Sequence, residues 1–132
     1  MIKTSSSKLS LHDAELITLH IDRKTDNGQL VFRCEDDSLV TFNMSGFRHV
    51  RCDMFGIQNV VSRLFISSQG NMSKEDCFDY LVWLYEGMVT LTKAEKEEIW
   101  RRCEEGAVEF LYLEPSLGAK LAILCAEIEV DF

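Results

Sequence analysis

The sequence predicts an α+β fold: a mostly antiparallel sheet of about six or seven strands, with two helices inserted before the last two strands. Three observations predict it. Apolar and polar residues alternate with strand period from Ile17 to Met44. Ser73 and Thr92 each open a segment with helix-start chemistry and helical apolar spacing. From Leu121 onward the chain is apolar on both faces, as in a strand buried on both sides. At 132 residues a single domain, 1–132, is the expectation, with 1–10 as a flexible tail around Ser5-Ser6-Ser7.

Taken in order, Ile17, Leu19 and Ile21 alternate with Thr18, His20 and Asp22 in the first strand. Asp26-Asn27-Gly28 reads as a hairpin, because Asn-Gly favours the positive φ of a two-residue turn. Leu30, Phe32 and Cys34 make the partner strand. After the polar turn Glu35-Asp36-Asp37-Ser38, Val40, Phe42 and Met44 make a third. The segment Phe47–Phe55 reads as a short strand, with Val50, Cys52 and Met54 on one side, a helix that would bring His49 and Cys52 together being the alternative. Val60, Ser62, Leu64 and Ile66 define a fifth, and Ser67–Asn71 is a loop.

Ser73 with Asp76 is an acidic variant of the capping box; Cys77, Leu81, Leu84 and Met88 form the stripe of its helix. Thr92 with Glu95 is a second capping box, and Gly106 is its helix stop. That helix is apolar only at Ala94, Ile99, Trp100 and Cys103, so it is peripheral. Val108, Phe110 and Tyr112 begin a strand, Glu114-Pro115-Ser116-Leu117-Gly118 reads as a turn, and Leu121–Val130 closes the domain. In that last strand Leu121, Ile123 and Cys125 share one face, and Leu124, Ala126 and Ile128 the other.

A net charge of −8 works against nucleic acid or an anionic membrane as partner, because both are held by basic patches. The same charge suits capture of a basic protein. No apolar run approaches the ~20 residues of a membrane span. Residues 1–10 also lack the apolar region of a signal peptide, so a cytoplasmic location is expected. The five cysteines, Cys34, Cys52, Cys77, Cys103 and Cys125, show no CxxC pair and read as reduced, buried thiols.

The catalytic residue types that cluster are His12-Asp13 and His49-x-x-Cys52-Asp53. A Cys–His pair needs mutual hydrogen-bond contact, and in a strand residues three apart face opposite ways. No catalytic residue is assigned on that ground. Likewise His12, His20, His49 and Asp53 lack metal-ligand spacing, and no glycine-rich phosphate loop occurs, so neither a metal nor a cofactor is expected. Arg48, Arg51 and Arg63, and separately Arg101-Arg102, read as ion-pair partners within a mixed surface.

Acidic residues cluster as Glu35-Asp36-Asp37, Glu75-Asp76-Asp79, Glu104-Glu105-Glu109 and Glu127-Glu129-Asp131. Glu75 and Asp76 are explained by the helix dipole. Glu35, Asp36 and Asp37 are the candidate partner-binding residues, since a turn enters a concave surface as a flat sheet does not.

Two stretches carry a resemblance. One is Leu11-His12-Asp13-Ala14-Glu15-Leu16 with Phe55-Gly56-Ile57-Gln58-Asn59-Val60-Val61; the other is Leu113-Glu114-Pro115-Ser116-Leu117-Gly118-Ala119 running into Leu121–Cys125. Together, over about half the chain, they resemble small bacterial immunity proteins of polymorphic toxin systems. The resemblance implies a non-enzymatic cytoplasmic protein that binds and silences a cognate toxin domain, often a basic nuclease; it carries over no contact residue. The alternatives are a scaffold or homo-oligomerising protein using an exposed β edge or the second helix, and a cysteine-dependent enzyme centred on Cys52.

Overall fold

The computed structural model describes residues 2–3 and 11–132. Its strands are β1 (Ile2–Lys3), β2 (Glu15–Asp22), β3 (Asn27–Arg33), β4 (Leu39–Ser45), β5 (His49–Asp53), β6 (Val60–Ile66), β7 (Glu109–Leu117), β8 (Lys120–Cys125) and β9 (Glu127–Asp131). Helices α1 (Lys74–Tyr85) and α2 (Lys93–Glu104) lie between β6 and β7. The fold is α+β with a mostly antiparallel sheet. Among the described residues eight strands have five residues or more, rather than six or seven, and three follow the helices instead of two. The expected tail pairs at Ile2–Lys3, parallel to β9, and the rest of 1–10 lies outside the described residues.

The strand order is β1-β9-β4-β3-β2-β6-β7-β8-β5. Its two ends belong together. β4 pairs with β9 as far as Ser45↔Glu127, and β5 with β8 from His49↔Leu124. That is four steps along one strand and three along the other, so the two ladders are one long pair interrupted by a bulge. Because β4 also pairs with β3, and β8 with β7, the sheet closes into a barrel. At the corner Ala126 N donates to Ser45 O (3.1 Å) and Gly46 O (2.9 Å). Gly46 has φ +69°, and a Cβ there would lie 2.5 Å from that of Ala126, so the corner requires glycine.

Side chains from every long strand fill the barrel, including Leu16, Leu30, Phe32, Phe42, Val61, Leu111, Leu121 and Ile123. A second cluster lies outside the barrel wall, where Phe110, Tyr112, Ala122 and Leu124 meet Cys77, Leu81 and Leu84 of α1 and Cys103 of α2. Both clusters pass through β7 and β8, which are thus buried on both faces.

Both caps form: Ser73 Oγ accepts from Asp76 N, and Thr92 and Glu95 complete a reciprocal box. Cys103 is the one buried residue of α2, in keeping with its thin apolar stripe.

Several expectations need correction. Leu121–Val130 is two strands, and the bulge at Ala126 reverses the alternation: Leu124 faces the helices whereas Ile128 faces the barrel interior. Asn27-Gly28 is not the hairpin turn. The register Asp22↔Asn27 leaves a four-residue loop, 23–26, with Asp26 at φ +56° and Asp22 Oδ1 accepting from Lys24 N. Gly28 sits opposite Ile21 in β3, where a Cβ would lie 2.7 Å from the Phe47 ring. Pro115 lies within β7, beyond its last pair with β8, on a stretch bonded to β6 alone where a missing N–H is tolerated. A bulge near Ser62 turns Val61 inward with Leu64 and Ile66. Met88 falls past the end of α1 and is exposed.

Candidate functional site

Cross-strand register aligns Leu39, Arg33, Glu15, Val60 and Leu117 as successive partners across β4, β3, β2, β6 and β7. Strands begin or end along this row, so it is a rim of the barrel. From it project the turn 34–38, the segment 11–14, the loop 54–59 and the turn after Leu117.

The 34–38 turn holds the predicted residues Glu35, Asp36 and Asp37, all exposed. Its shape is set by its own hydrogen bonds. Cys34 N donates to Ser38 O (2.8 Å), and Asp37 N to Cys34 O (2.9 Å), with Asp37 at φ +66°. Asp36 Oδ1 accepts from Ser38 N (3.0 Å) and Ser38 Oγ (2.6 Å), which holds its carboxyl below the ordinary aspartate value. Asp36 therefore shapes the turn, while Glu35 and Asp37 present charge.

Two strand spacings away, about 10 Å, lies a loop that carries part of the resemblance but to which the sequence assigns no binding role. Asn59 is 3% exposed and anchors it. Its Oδ1 accepts from Gly56 N (2.9 Å) and Ala119 N (3.1 Å). Its Nδ2 donates to Gly56 O (3.0 Å) and Leu16 O (3.2 Å). One side chain thus ties the loop to β2 and to the β7–β8 turn, and Gln58 Nε2 adds a contact to Glu15 Oε1 (3.4 Å). Held in this way, Met54, Phe55 and Ile57 point outward; Ile57 is fully exposed. The signal in the sequence was an apolar run, Met54–Ile57, that follows neither strand nor helix period.

The other acidic clusters are dispersed. Glu75 and Asp76 occupy the first turn of α1. Glu109 is fully buried, contrary to a solvated cluster with Glu104 and Glu105, and accepts from Ser68 Oγ (2.8 Å). Glu127, Glu129 and Asp131 are exposed along β9. They border a polar outer face where Gln29 Nε2 donates to Asn43 Oδ1 (2.9 Å) and Asn43 Nδ2 to Asp131 Oδ2 (3.0 Å). A groove of about 460 Å³ on this face is lined by His20, Asp22, Gln29, Asn43, Glu127 and Glu129.

His49 and Cys52 point to opposite sides of β5. The His49 ring stacks on Tyr85, centroids 4.5 Å apart, while Cys52 packs against the barrel core. Burial, then neighbouring Asp53, pushes the Cys52 thiol up, the reverse of what an activated nucleophile needs. Cys77 and Cys125 are pushed up to about 12 and Cys103 to about 11, chiefly by burial. His12 Nδ1 meets Asp13 Oδ2 at 3.1 Å on the surface. Among the described residues no three His, Cys, Asp or Glu side chains converge as a metal cage. Arg51 pairs with Asp53 (2.9 Å) and Arg63 with Glu114 (2.9 Å). Among the described residues no helix is long and apolar enough to cross a membrane.

No protein-family model matches the chain, and no curated protein matches it in sequence.

Proposed function

We propose that this is a non-enzymatic binding protein whose acidic rim captures a basic protein, and that the partner is a cognate toxin domain which it neutralises. The observation that carries the reading is the 34–38 turn. It projects exposed carboxylates from a conformation that its own hydrogen bonds hold in advance, so little order is lost on docking. The resemblance to immunity proteins supports the choice of a toxin, and the net charge of −8 supports a basic one.

The test looks for a toxin gene immediately upstream of the gene of this protein and pairs the protein with the toxin domain found there. Glu35→Lys with Asp37→Asn removes charge while sparing Asp36, and Asn suits the left-handed backbone at position 37. Wild-type association should exceed the unsteered level of about 10⁵–10⁶ M⁻¹s⁻¹ and fall with added salt. The variant should associate more slowly and lose protection in cells at an unchanged melting temperature. A wild type that neither binds nor protects defeats the reading.

A second reading, a self-associating scaffold, is favoured by one observation: β5 ends the strand order and, among the described residues, pairs on one side only, with β8. Sedimentation of the full chain decides it, a concentration-dependent dimer being the supporting result.

A further inference from the structure

The loop 54–59 presents hydrophobic side chains to water without the looseness of an ordinary surface loop. Ile57 is 107% exposed, Met54 81% and Phe55 47%. Met54 also holds φ +63°, a conformation that a non-glycine residue keeps only where its surroundings impose it. A buried amide with four hydrogen bonds fixes the loop from beneath. Leu117, 52% exposed, stands beside it through the pairing Val60↔Leu117. An apolar cluster held rigidly in the open is the signature of an interface anchor, because its conformational cost is met before binding.

The surrounding charge selects the occupant. Asp13, Glu15, Glu35, Asp36, Asp37 and Asp53 lie on the strand ends around this loop. Against them stand Arg33, Lys120 and Arg51, the last paired with Asp53, so the rim keeps an acidic balance. Those carboxylates repel an anionic membrane. A symmetric contact between two copies would set acidic rim against acidic rim. A protein cleft with an apolar floor and Lys or Arg at its border matches both features.

We propose that Phe55 and Ile57 are the hydrophobic anchor of this protein, inserted into an apolar cleft bordered by basic residues on a protein partner. The proposal rests on the binding function above and adds where the complex is held once charge has brought it together.

Benzoylphenylalanine placed at position 57, and separately at 37, of the full chain is photolysed in the cells that naturally make it, and adducts are identified by mass spectrometry. The cross-linked protein is then purified and titrated with wild type, Ile57→Ser, Phe55→Ser and Glu35→Lys. Both positions should trap the same basic protein. Ile57→Ser and Phe55→Ser should each raise Kd by about 30-fold or more, chiefly through faster dissociation. Glu35→Lys should instead slow association and flatten its salt dependence. Ile57 is fully exposed, so its variant should melt with the wild type. An adduct with a second copy or a lipid overturns the proposal, as does an unchanged Kd for both loop variants. If Glu35→Lys alone weakens binding, or position 37 alone yields an adduct, the anchor is wrong and the binding function stands. If neither position traps a protein, both fail.

Discussion

β7–β8 and β2–β3–β4 both line the barrel interior yet differ on their outer side. Behind Leu111, Leu113, Leu121 and Ile123 the wall carries Phe110, Tyr112, Ala122 and Leu124, all buried under α1 and α2. Behind Leu30, Phe32, Phe42 and Met44 it carries exposed Gln29 and half-buried Val31, Thr41 and Asn43, and among the described residues neither helix packs on it. The covered region holds apolar contact in two layers and the open region in one. Stability is therefore concentrated where surface is absent, and the acidic turn 34–38 lies where only one layer must be kept.

The largest expected effect follows from the strands shared by both regions. Deleting 119–132 removes β8 and β9, and with them the pairing of β4, β5 and β7 that closes the barrel. Several fully buried side chains go at once, each worth about 1.5–3 kcal/mol, against a total stability of about 5–15 kcal/mol. The truncated chain should lack a cooperative melt by circular dichroism. A soluble truncation with a sharp transition would mean that the barrel does not depend on its closure.

A point substitution on each outer face sharpens the contrast. Phe110→Ala empties a fully buried site between β7 and the helices and should cost about 3–5 kcal/mol in urea denaturation. His20→Gln on the exposed face of β2 should stay within about 0.5 kcal/mol. Equal losses would mean that the open face is covered in solution, by a second copy or another layer.

The same contrast explains what was legible in the sequence. Of the open strands, β3 and β4 announced themselves by alternation, whereas in β2 a bulge between Leu16 and Thr18 puts Leu16 in the core and leaves Ile21 exposed. The covered strands read as continuous apolar runs, because each pattern records burial on one face or two. Both helix caps were legible because capping is settled within four residues. What escaped depends on distant contacts. The break at Ala126 arises where Ser45 and Gly46 meet it across the sheet. The hairpin was displaced because Asp26 Oδ1 accepts from Phe47 N, 21 residues on, a contact that fixes the loop before Asn27-Gly28 is reached. Nothing in the sequence marked Asn59 as an anchor, because its partners on Leu16 and Ala119 lie far along the chain. Of the candidate site, the acidic turn was legible from composition, whereas the apolar loop beside it needed the register to bring it there.

Helix α2 tests the covered side at its weakest point. It buries Cys103 and packs Ile99 and Trp100 in part, so its local chemistry should matter more than in α1. Thr92→Ala removes the acceptor for Glu95 N (3.1 Å) and should cost about 1 kcal/mol. Amide exchange should quicken through residues 93–104 while β7 and β8 stay protected. Uniform acceleration would mean that α2 and the barrel open as one unit.

The smallest expected effect falls on the open side, at Asp36. Its carboxyl is held below the ordinary value mainly by the Ser38 side chain and then by the Ser38 amide. A carboxyl depressed in the folded state contributes stability above its unfolded pKa, near 3.9, and loses it as pH falls through the folded value. Asp36→Asn keeps an oxygen to accept from Ser38 but cannot titrate. At pH 7 its melting temperature should lie slightly below wild type, and as pH falls below about 4 it should decline less steeply. If the variant instead melts well below wild type at pH 7, the carboxylate charge itself holds the turn. If the two acid profiles coincide, the bond to Ser38 does not persist in solution, and the rim then presents its carboxylates from a mobile turn instead of a preformed one.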